Sequence, residues 1–311
     1  FFTSPFLKNQ GTSDYLLTKV VTNHDIAKNV DTSDEWIRER TGIATRYIVE
    51  EDTTVSMATE AARQAIDMAG IKSEDIDLIL VSTISPDIIL PCVACEVQNH
   101  IGAFNATCFD LNAACTGFLY AYNTAQAYIS SGIYKTVLVI GAESLSNIVN
   151  WKDRNTCILF GDGAGAVILK SETEGVFETY TRSEGEKGQA LLCYPRGTIK
   201  MDGQAVFRFA VKQVTLCIQT LLKKYDVTES KIDYFILHQA NKRIVESVAK
   251  RLGVGIEKFP MNLQEYGNTS SASIPILLDE MNKQGLFKRG MKIVLAGFGA
   301  GLSWGASLIE W

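Results

Sequence analysis

Ile76-Asp-Leu-Ile-Leu-Val81 recurs 156 positions later as Ile232-Asp-Tyr-Phe-Ile-Leu237. Both runs are short, apolar after the Asp and rich in strand-forming residues, which reads as a buried β-strand. A second pair keeps the same spacing: Val137-Leu-Val-Ile-Gly-Ala-Glu143 and Ile293-Val-Leu-Ala-Gly-Phe-Gly299. A third, Gly132-Ile-Tyr-Lys135 and Gly285-Leu-Phe-Lys288, is offset by 153. One such pair is weak, because apolar strands resemble one another by chance. A near-constant offset across three is harder to produce by accident. Each copy reads as helix, acidic turn, buried strand, loop, helix, buried strand and Gly turn, so the chain is α/β and duplicated. Halves related by a pseudo-twofold axis would bring their equivalent loops together.

Those loops carry chemistry. In the first copy Asp110-Leu-Asn-Ala-Ala-Cys-Thr-Gly-Phe-Leu-Tyr120 follows a strand-like stretch, Ala106 to Leu111, and precedes a helical segment from Thr116 to about Ser131. A cysteine in that place is by itself most often a buried core thiol. At a helix N-terminus, however, the macrodipole favours a thiolate, so the Cys115 pKa is expected to fall and the residue is a candidate nucleophile. In the second copy His238 ends the Ile232–Leu237 strand, where α/β folds gather their sites. Of the three histidines, His24, His100 and His238, it alone has that setting. Asn268 lies in Tyr266-Gly-Asn-Thr-Ser-Ser-Ala-Ser273, ahead of another apolar helix, and under the 156 offset this loop matches that of Cys115. Alone, His238 reads equally well as a strand cap and Asn268 as an Asx turn. Together a thiol, an imidazole and an amide make a catalytic set. The thiolate attacks a carbonyl, His and Asn donate to developing negative charge, and backbone N–H groups hold an oxyanion.

Composition bounds the rest. The 311 residues, 46% hydrophobic, suffice for one bilobal domain or two packed halves. No run of about 18 apolar residues suggests a membrane span, and no signal peptide is evident. A net charge of −5 gives no reason to expect nucleic acid. Seven cysteines, an odd number, fit a reducing, cytoplasmic compartment. Cys92-Val-Ala-Cys95 has CxxC spacing but no second ligand pair, so it reads as structural, and no metal is expected. Cys108, Cys157, Cys193 and Cys217 lie in apolar runs and read as core. A local basic face, with Lys242, Arg243, Lys250 and Arg251 on one helix and Arg208 and Lys212 beside it, is either solvated or a dock for an acidic partner.

Seven motifs make the chain resemble the β-ketoacyl-acyl-carrier-protein synthase III family of the thiolase-like superfamily. They are Asp31-Thr-Ser-Asp-Glu-Trp-Ile37, Arg40-Thr-Gly-Ile43, Ala113-Ala-Cys-Thr-Gly117, Phe160-Gly-Asp-Gly-Ala-Gly165, His238-Gln-Ala-Asn241, Gly267-Asn-Thr-Ser270 and Gly297-Phe-Gly-Ala-Gly301. The likeness runs from about Val20 to the C-terminus. It implies a duplicated five-layer αβαβα architecture with halves at 1–170 and 171–311. It implies decarboxylative condensation of an acyl-CoA primer with malonyl-acyl carrier protein through an acyl-Cys115 intermediate, starting type II fatty acid synthesis, in a homodimer with no cofactor.

The resemblance also implies roles. Cys115 is the acylated nucleophile, and His238 and Asn268 promote decarboxylation. The Cys115 and Ala300 amides form the oxyanion hole. Thr32, Trp36, Arg40, Arg154, Gly203, Phe207 and Asn241 line the coenzyme A tunnel, with adenine between Trp36 and Arg154. Arg208, Arg243, Lys250 and Arg251 dock the carrier protein. Leu90 reaches across the dimer into the partner's acyl pocket, where a Leu rather than an aromatic leaves room for a longer or branched primer. Phe160–Gly165 is a structural turn, lacking the spacing and Lys of a phosphate loop.

Two departures stand out. Gln204 replaces a frequent Asn. Phe1 to Gln10, with Pro5 and polar breaks, is poor material for the central strand the family opens with. Competing readings remain: a thiolase would need a second catalytic cysteine, absent from Gly297–Gly301. A hydroxymethylglutaryl-CoA synthase would use a Glu. A non-catalytic partner subunit would have lost Cys115. An acyltransferase with another acceptor would keep Cys115 but not decarboxylate malonyl thioesters.

Overall fold

The computed structural model describes residues 6–15 and 17–311. The Leu78–Ser82 strand is buried along its whole length. Leu78 and Leu80 face one apolar cluster, Ile79 and Val81 the other, because successive side chains point to opposite faces and both faces are covered. In the first sheet the strands run Phe6–Tyr15, Gly163–Glu172, Thr136–Glu143, Leu78–Ser82 and Thr107–Leu111. In the second they run Phe177–Ser183, Ser303–Glu310, Lys292–Gly299 and Tyr234–Leu237.

The two sheets share a plan. Leu78–Ser82 lies parallel to Thr136–Glu143, which is antiparallel to Gly163–Glu172. Tyr234–Leu237 lies parallel to Lys292–Gly299, which is antiparallel to Ser303–Glu310. Leu78 faces Val137 and Tyr234 faces Ile293, so the register is the same once 156 is added.

Helices complete five layers in the order αβαβα. Thr54–Ala69 and Val93–Ile101 cover the outer face of the first sheet. Gly117–Ser130 and Ser273–Lys283 lie between the sheets. Gly203–Lys224 and Lys242–Leu252 cover the outer face of the second. The Gly117–Ser130 helix has no side-chain N-cap and holds Gly, Asn, Thr and three Tyr, so intrinsic propensity does not sustain it. Packing does: Phe118, Leu119 and Tyr122 are almost fully buried, each contributing roughly 1.5–3 kcal/mol.

Two expectations meet the structure here. Within Phe1 to Gln10, read as poor material for a central strand, the chain enters a strand at Phe6: Phe6–Tyr15 lies at the sheet edge, antiparallel to Gly163–Glu172 and with a register break between Asn9 and Gly11. An edge tolerates a bulge that a central strand would not. Phe1 to Pro5 lie outside the described residues. Among the described residues one helix, Gly203–Lys224, is long and apolar enough to cross a membrane by length and composition. Its apolar side, including Phe209, Val214, Ile218 and Leu221, instead packs on the second sheet.

Candidate active site

Two turns at the carboxyl ends of the sheets meet in the middle of the molecule. After Leu111 the chain turns through Ala114, held at a left-handed φ of 48°, into the 3-10 turn Ala114–Thr116 and then the helix at Gly117. One hundred and fifty-six positions on, Ser270 has φ 50° in the turn Ser270–Ala272 that leads to the Ser273–Lys283 helix. Left-handed non-glycine residues cost about 1–2 kcal/mol each, and here both stand at the site. Gly299 backs the first turn so closely that an added Cβ would lie 2.8 Å from the Cys115 nitrogen.

Cys115, His238 and Asn268 line one cavity of about 450 Å³. His238 is 2% exposed, its ring meets Phe298 edge-on at 5.2 Å, and its Nδ1 lies 2.7 Å from the Ser273 hydroxyl. Burial pulls its pKa down to about 3, so the imidazole is neutral. Asn268 is clamped by its backbone: its N–H donates to the Leu159 carbonyl at 2.8 Å and its carbonyl accepts from the Gly161 N–H at 3.1 Å. Its side-chain Oδ1 accepts from the Ser270 N–H at 2.9 Å, which leaves the amide N–H groups for the cavity. The Phe160–Gly165 run is thus more than a turn, since its first residues hold Asn268.

The Cys115 thiol departs from expectation. Burial pushes its pKa up to about 12, the nearby Ser270 hydroxyl opposes this, and the buried Glu143 carboxyl adds to it. Desolvation outweighs the helix terminus because Cys115 is only 8% exposed and precedes the helix proper by a 3-10 turn. Cys115 therefore rests as a neutral thiol. Glu143 is fully buried behind the turn, and burial raises its pKa as well. It accepts from the Ser85 hydroxyl at 2.7 Å, the Ile84 N–H at 3.0 Å and the Ser271 hydroxyl at 3.0 Å.

The other residues singled out in the sequence divide. Arg40, Gly203, Phe207 and Asn241 line the cavity, as do Gln204, Arg208 and Arg243. Thr32, Trp36 and Arg154 lie outside its lining. The Arg40 and Arg154 guanidiniums stand 4.3 and 4.8 Å from the Trp36 ring. The latter separation is shorter than the roughly 7 Å, two van der Waals layers, that a planar ring between Trp36 and Arg154 needs. Ala300 lines a second cavity of about 380 Å³ on the far side of Cys115, walled by Ile84, Leu145, Ile148, Leu191 and Ile199.

Lys212, Lys250 and Arg251 are exposed, with Lys250 about 10 Å along its helix from Arg243. Leu90 is 82% exposed and lines neither cavity. Cys157 and Cys217 are buried and Cys108 half-buried, but Cys193, read as core, is exposed beside the second cavity because Leu191–Leu192 is a two-residue strand followed by an open loop. The Cys92 and Cys95 sulfurs lie 3.5 Å apart, and all seven cysteines are free. Among the described residues no group of three or more His, Cys, Asp or Glu side chains could hold a metal ion.

Sequence reasoning missed Ser273, Ser270 and Glu143. The 156 offset carried a signal for two of them. It pairs Ala114 with Ser270 and Gly117 with Ser273, so polar side chains stand in the second copy where the first has none.

Comparison with known proteins places this geometry. The family described as 3-oxoacyl-[acyl-carrier-protein (ACP)] synthase III matches residues 109–185, and its C-terminal model matches 222–311. A β-ketoacyl-[acyl-carrier-protein] synthase III of Clostridium acetobutylicum is 49% identical over 316 aligned residues, covering 97% of each chain. The crystal structure of 3-oxoacyl-[acyl-carrier-protein] synthase III from Aquifex aeolicus superposes with a TM-score of 0.96 at 44% identity, covering 98% of this chain and 100% of that one. The priming β-ketosynthase of the R1128 polyketide pathway superposes with a TM-score of 0.95 at 32% identity, covering 99% and 96%.

Proposed function

Because the chain belongs to the 3-oxoacyl-[acyl-carrier-protein] synthase III family, we propose that it condenses an acyl-CoA primer with malonyl-acyl carrier protein through an acyl thioester on Cys115. The product is a 3-ketoacyl carrier protein, the first step of type II fatty acid synthesis. The observation that carries this reading is the donor set: a neutral imidazole and an amide N–H2 share the cavity of one buried thiol, with no carboxylate among the described residues that line it.

The chemistry follows from that set. In the first half-reaction the Cys115 sulfur attacks the primer thioester, coenzyme A leaves, and the thiol proton goes with the departing sulfur. The backbone N–H groups of Cys115 and Ala300 hold the oxyanion between the two cavities, and the acyl chain enters the apolar pocket beyond Ala300. In the second, malonyl thioester loses carbon dioxide, and the electron pair of the broken C–C bond passes to its α-carbon and carbonyl oxygen. His238 and Asn268 donate hydrogen bonds to that oxygen. The carbanion then attacks the acyl carbonyl and expels the Cys115 thiolate, which takes up a proton from solvent, since the malonyl carboxylate left as carbon dioxide. Decarboxylation generates the carbanion directly, so two neutral donors serve where a base would be idle.

Thr32, Trp36, Arg40, Arg154, Gly203, Phe207 and Asn241 take the coenzyme A nucleotide and pantetheine along the first cavity. Arg208 and Arg243 at its mouth, with Lys250 and Arg251, meet the carrier protein. The two halves, 1–170 and 171–311, act as duplicated units. A second copy of the chain, placing its Leu90 at the second cavity, closes the acyl pocket.

The test is intact-mass measurement after incubation with a panel of acyl-CoAs, beside Cys115→Ala, followed by malonyl carrier protein. An adduct absent from the alanine variant and discharged as ketoacyl product supports the synthase. An adduct that survives the chase supports transfer to another acceptor, and no adduct from any primer removes Cys115 as the nucleophile.

A further inference from the structure

We infer that Ser273 is a positioning residue that fixes the tautomer of His238, holding Nδ1 as an acceptor so that the proton sits on Nε2 and faces the cavity. The inference rests on the donor role given to His238 above.

The Ser273 side chain is 2% exposed, and its oxygen has two partners. One is the Gln239 backbone N–H at 3.3 Å, which can only donate. The other is His238 Nδ1 at 2.7 Å. Among the described residues no other acceptor lies within reach of the Ser273 hydroxyl proton. If Nδ1 carried a hydrogen, two donors would converge on the serine oxygen and its own proton would be buried without a partner, at a cost of about 1–3 kcal/mol. With the hydroxyl donating to Nδ1, all three groups are satisfied. The imidazole is neutral, so its single proton is then on Nε2. Nε2 has no partner in the described residues, and His238 lines the cavity with Cys115 and Asn268.

Helix geometry makes this arrangement durable. Ser273 is the first residue of the Ser273–Lys283 helix, directly after the Ser270–Ala272 turn, which Asn268 precedes by two residues. One short segment therefore sets both donors. The Ser270 N–H takes the oxygen of Asn268, and the Ser273 hydroxyl takes Nδ1 of His238. Each contact turns the other end of its partner into a donor aimed at the same space.

The tautomer can be read directly in the intact protein by nitrogen-15 NMR of labelled histidine side chains. The chain has only three histidines, and the His238 signals are those lost in His238→Gln. The expected result for the unsubstituted protein is a pure Nε2–H pattern. A dominant Nδ1–H pattern overturns the inference without any variant having to fold. Ser273→Ala is then expected to populate both tautomers and to slow malonyl decarboxylation about 10- to 100-fold, the range seen when partners that orient a histidine are removed. The Michaelis constant for the malonyl carrier should stay within about twofold, and Ser273→Thr should restore the tautomer and most of the rate. A Ser273→Ala protein that keeps both the Nε2–H pattern and the rate also overturns the inference. His238→Ala, which leaves no donor at that place, with an unchanged decarboxylation rate would instead sink the donor reading of His238 itself.

Discussion

At the scale of single residues, burial decides more than sequence position. Cys115 stands where a helix N-terminus should favour a thiolate, yet burial pushes it up to about 12. His238 is pulled down to about 3 by the same cause. Only the structure reveals how much water each side chain loses, so the residue types and spacing were legible and the protonation states were not. The His238 shift has a sign that can be tested. Its folded pKa lies below the ordinary 6.5, so above about pH 6.5 it leaves stability untouched. As pH falls from 6.5 towards 3 the unfolded chain takes up a proton that the folded chain refuses, costing about 1.4 kcal/mol per pH unit. Urea unfolding across that range should therefore show a steeper acid loss for the unsubstituted protein than for His238→Gln; parallel curves would show that the imidazole is solvated. Gly299 offers a second test. A Cβ there would press on the Cys115 nitrogen at 2.8 Å, backbone that cannot swing aside. Gly299→Ala should cost about 1–3 kcal/mol in denaturant unfolding and reduce primer acylation with it.

At the scale of elements, the basic residues that read as one face of a helix serve two places. The Lys242–Leu252 helix caps with Asn241, whose side chain accepts from the Arg243 N–H at 2.9 Å and donates to the Arg40 carbonyl at 3.0 Å. This ties its first turn to the helix carrying Trp36 and puts Arg243 on the cavity lining. Lys250 and Arg251 lie in the last turn, two turns away from the mouth. A reversal at Arg243 would disturb coenzyme A and carrier protein alike, whereas Lys250→Glu separates them. The expected outcome is a Michaelis constant for malonyl carrier protein raised severalfold, with the rate of Cys115 acylation by acyl-CoA unchanged and the effect fading as salt rises. Equal losses in both half-reactions would remove the carrier protein from that face.

At the scale of the whole molecule, what the sequence made legible was whatever repeats. The 156 offset reproduces the direction and residue register of the parallel strand pair in each sheet, because each copy had to bury the same two faces of its central strands, while the antiparallel neighbours Gly163–Glu172 and Ser303–Glu310 fall outside that offset. Contacts joining distant segments left no such trace. Phe6–Tyr15 is the example: its polar residues look wrong for a strand until the opposite end of the chain is placed against them. Asp14 on that strand and the fully buried Asp279 on the Ser273–Lys283 helix both reach the Lys283 ammonium, at 2.6 Å each, and the Thr12 hydroxyl donates to Asp279 at 2.8 Å. Even so, burial raises Asp279 to about 6. Lys283 is a cation that both carboxylates meet between an edge strand and a central helix. Replacing it with Met should remove the countercharge of Asp279, raising its pKa further above that of the unfolded chain. A raised carboxyl pKa costs stability as pH climbs through it, so the penalty of Lys283→Met should be about 3 kcal/mol at pH 8 and shrink towards pH 5, where Asp279 is protonated. Chemical unfolding at the two pH values checks this. A deficit that is equal at both would mean that the lysine contributes packing along its stem rather than charge.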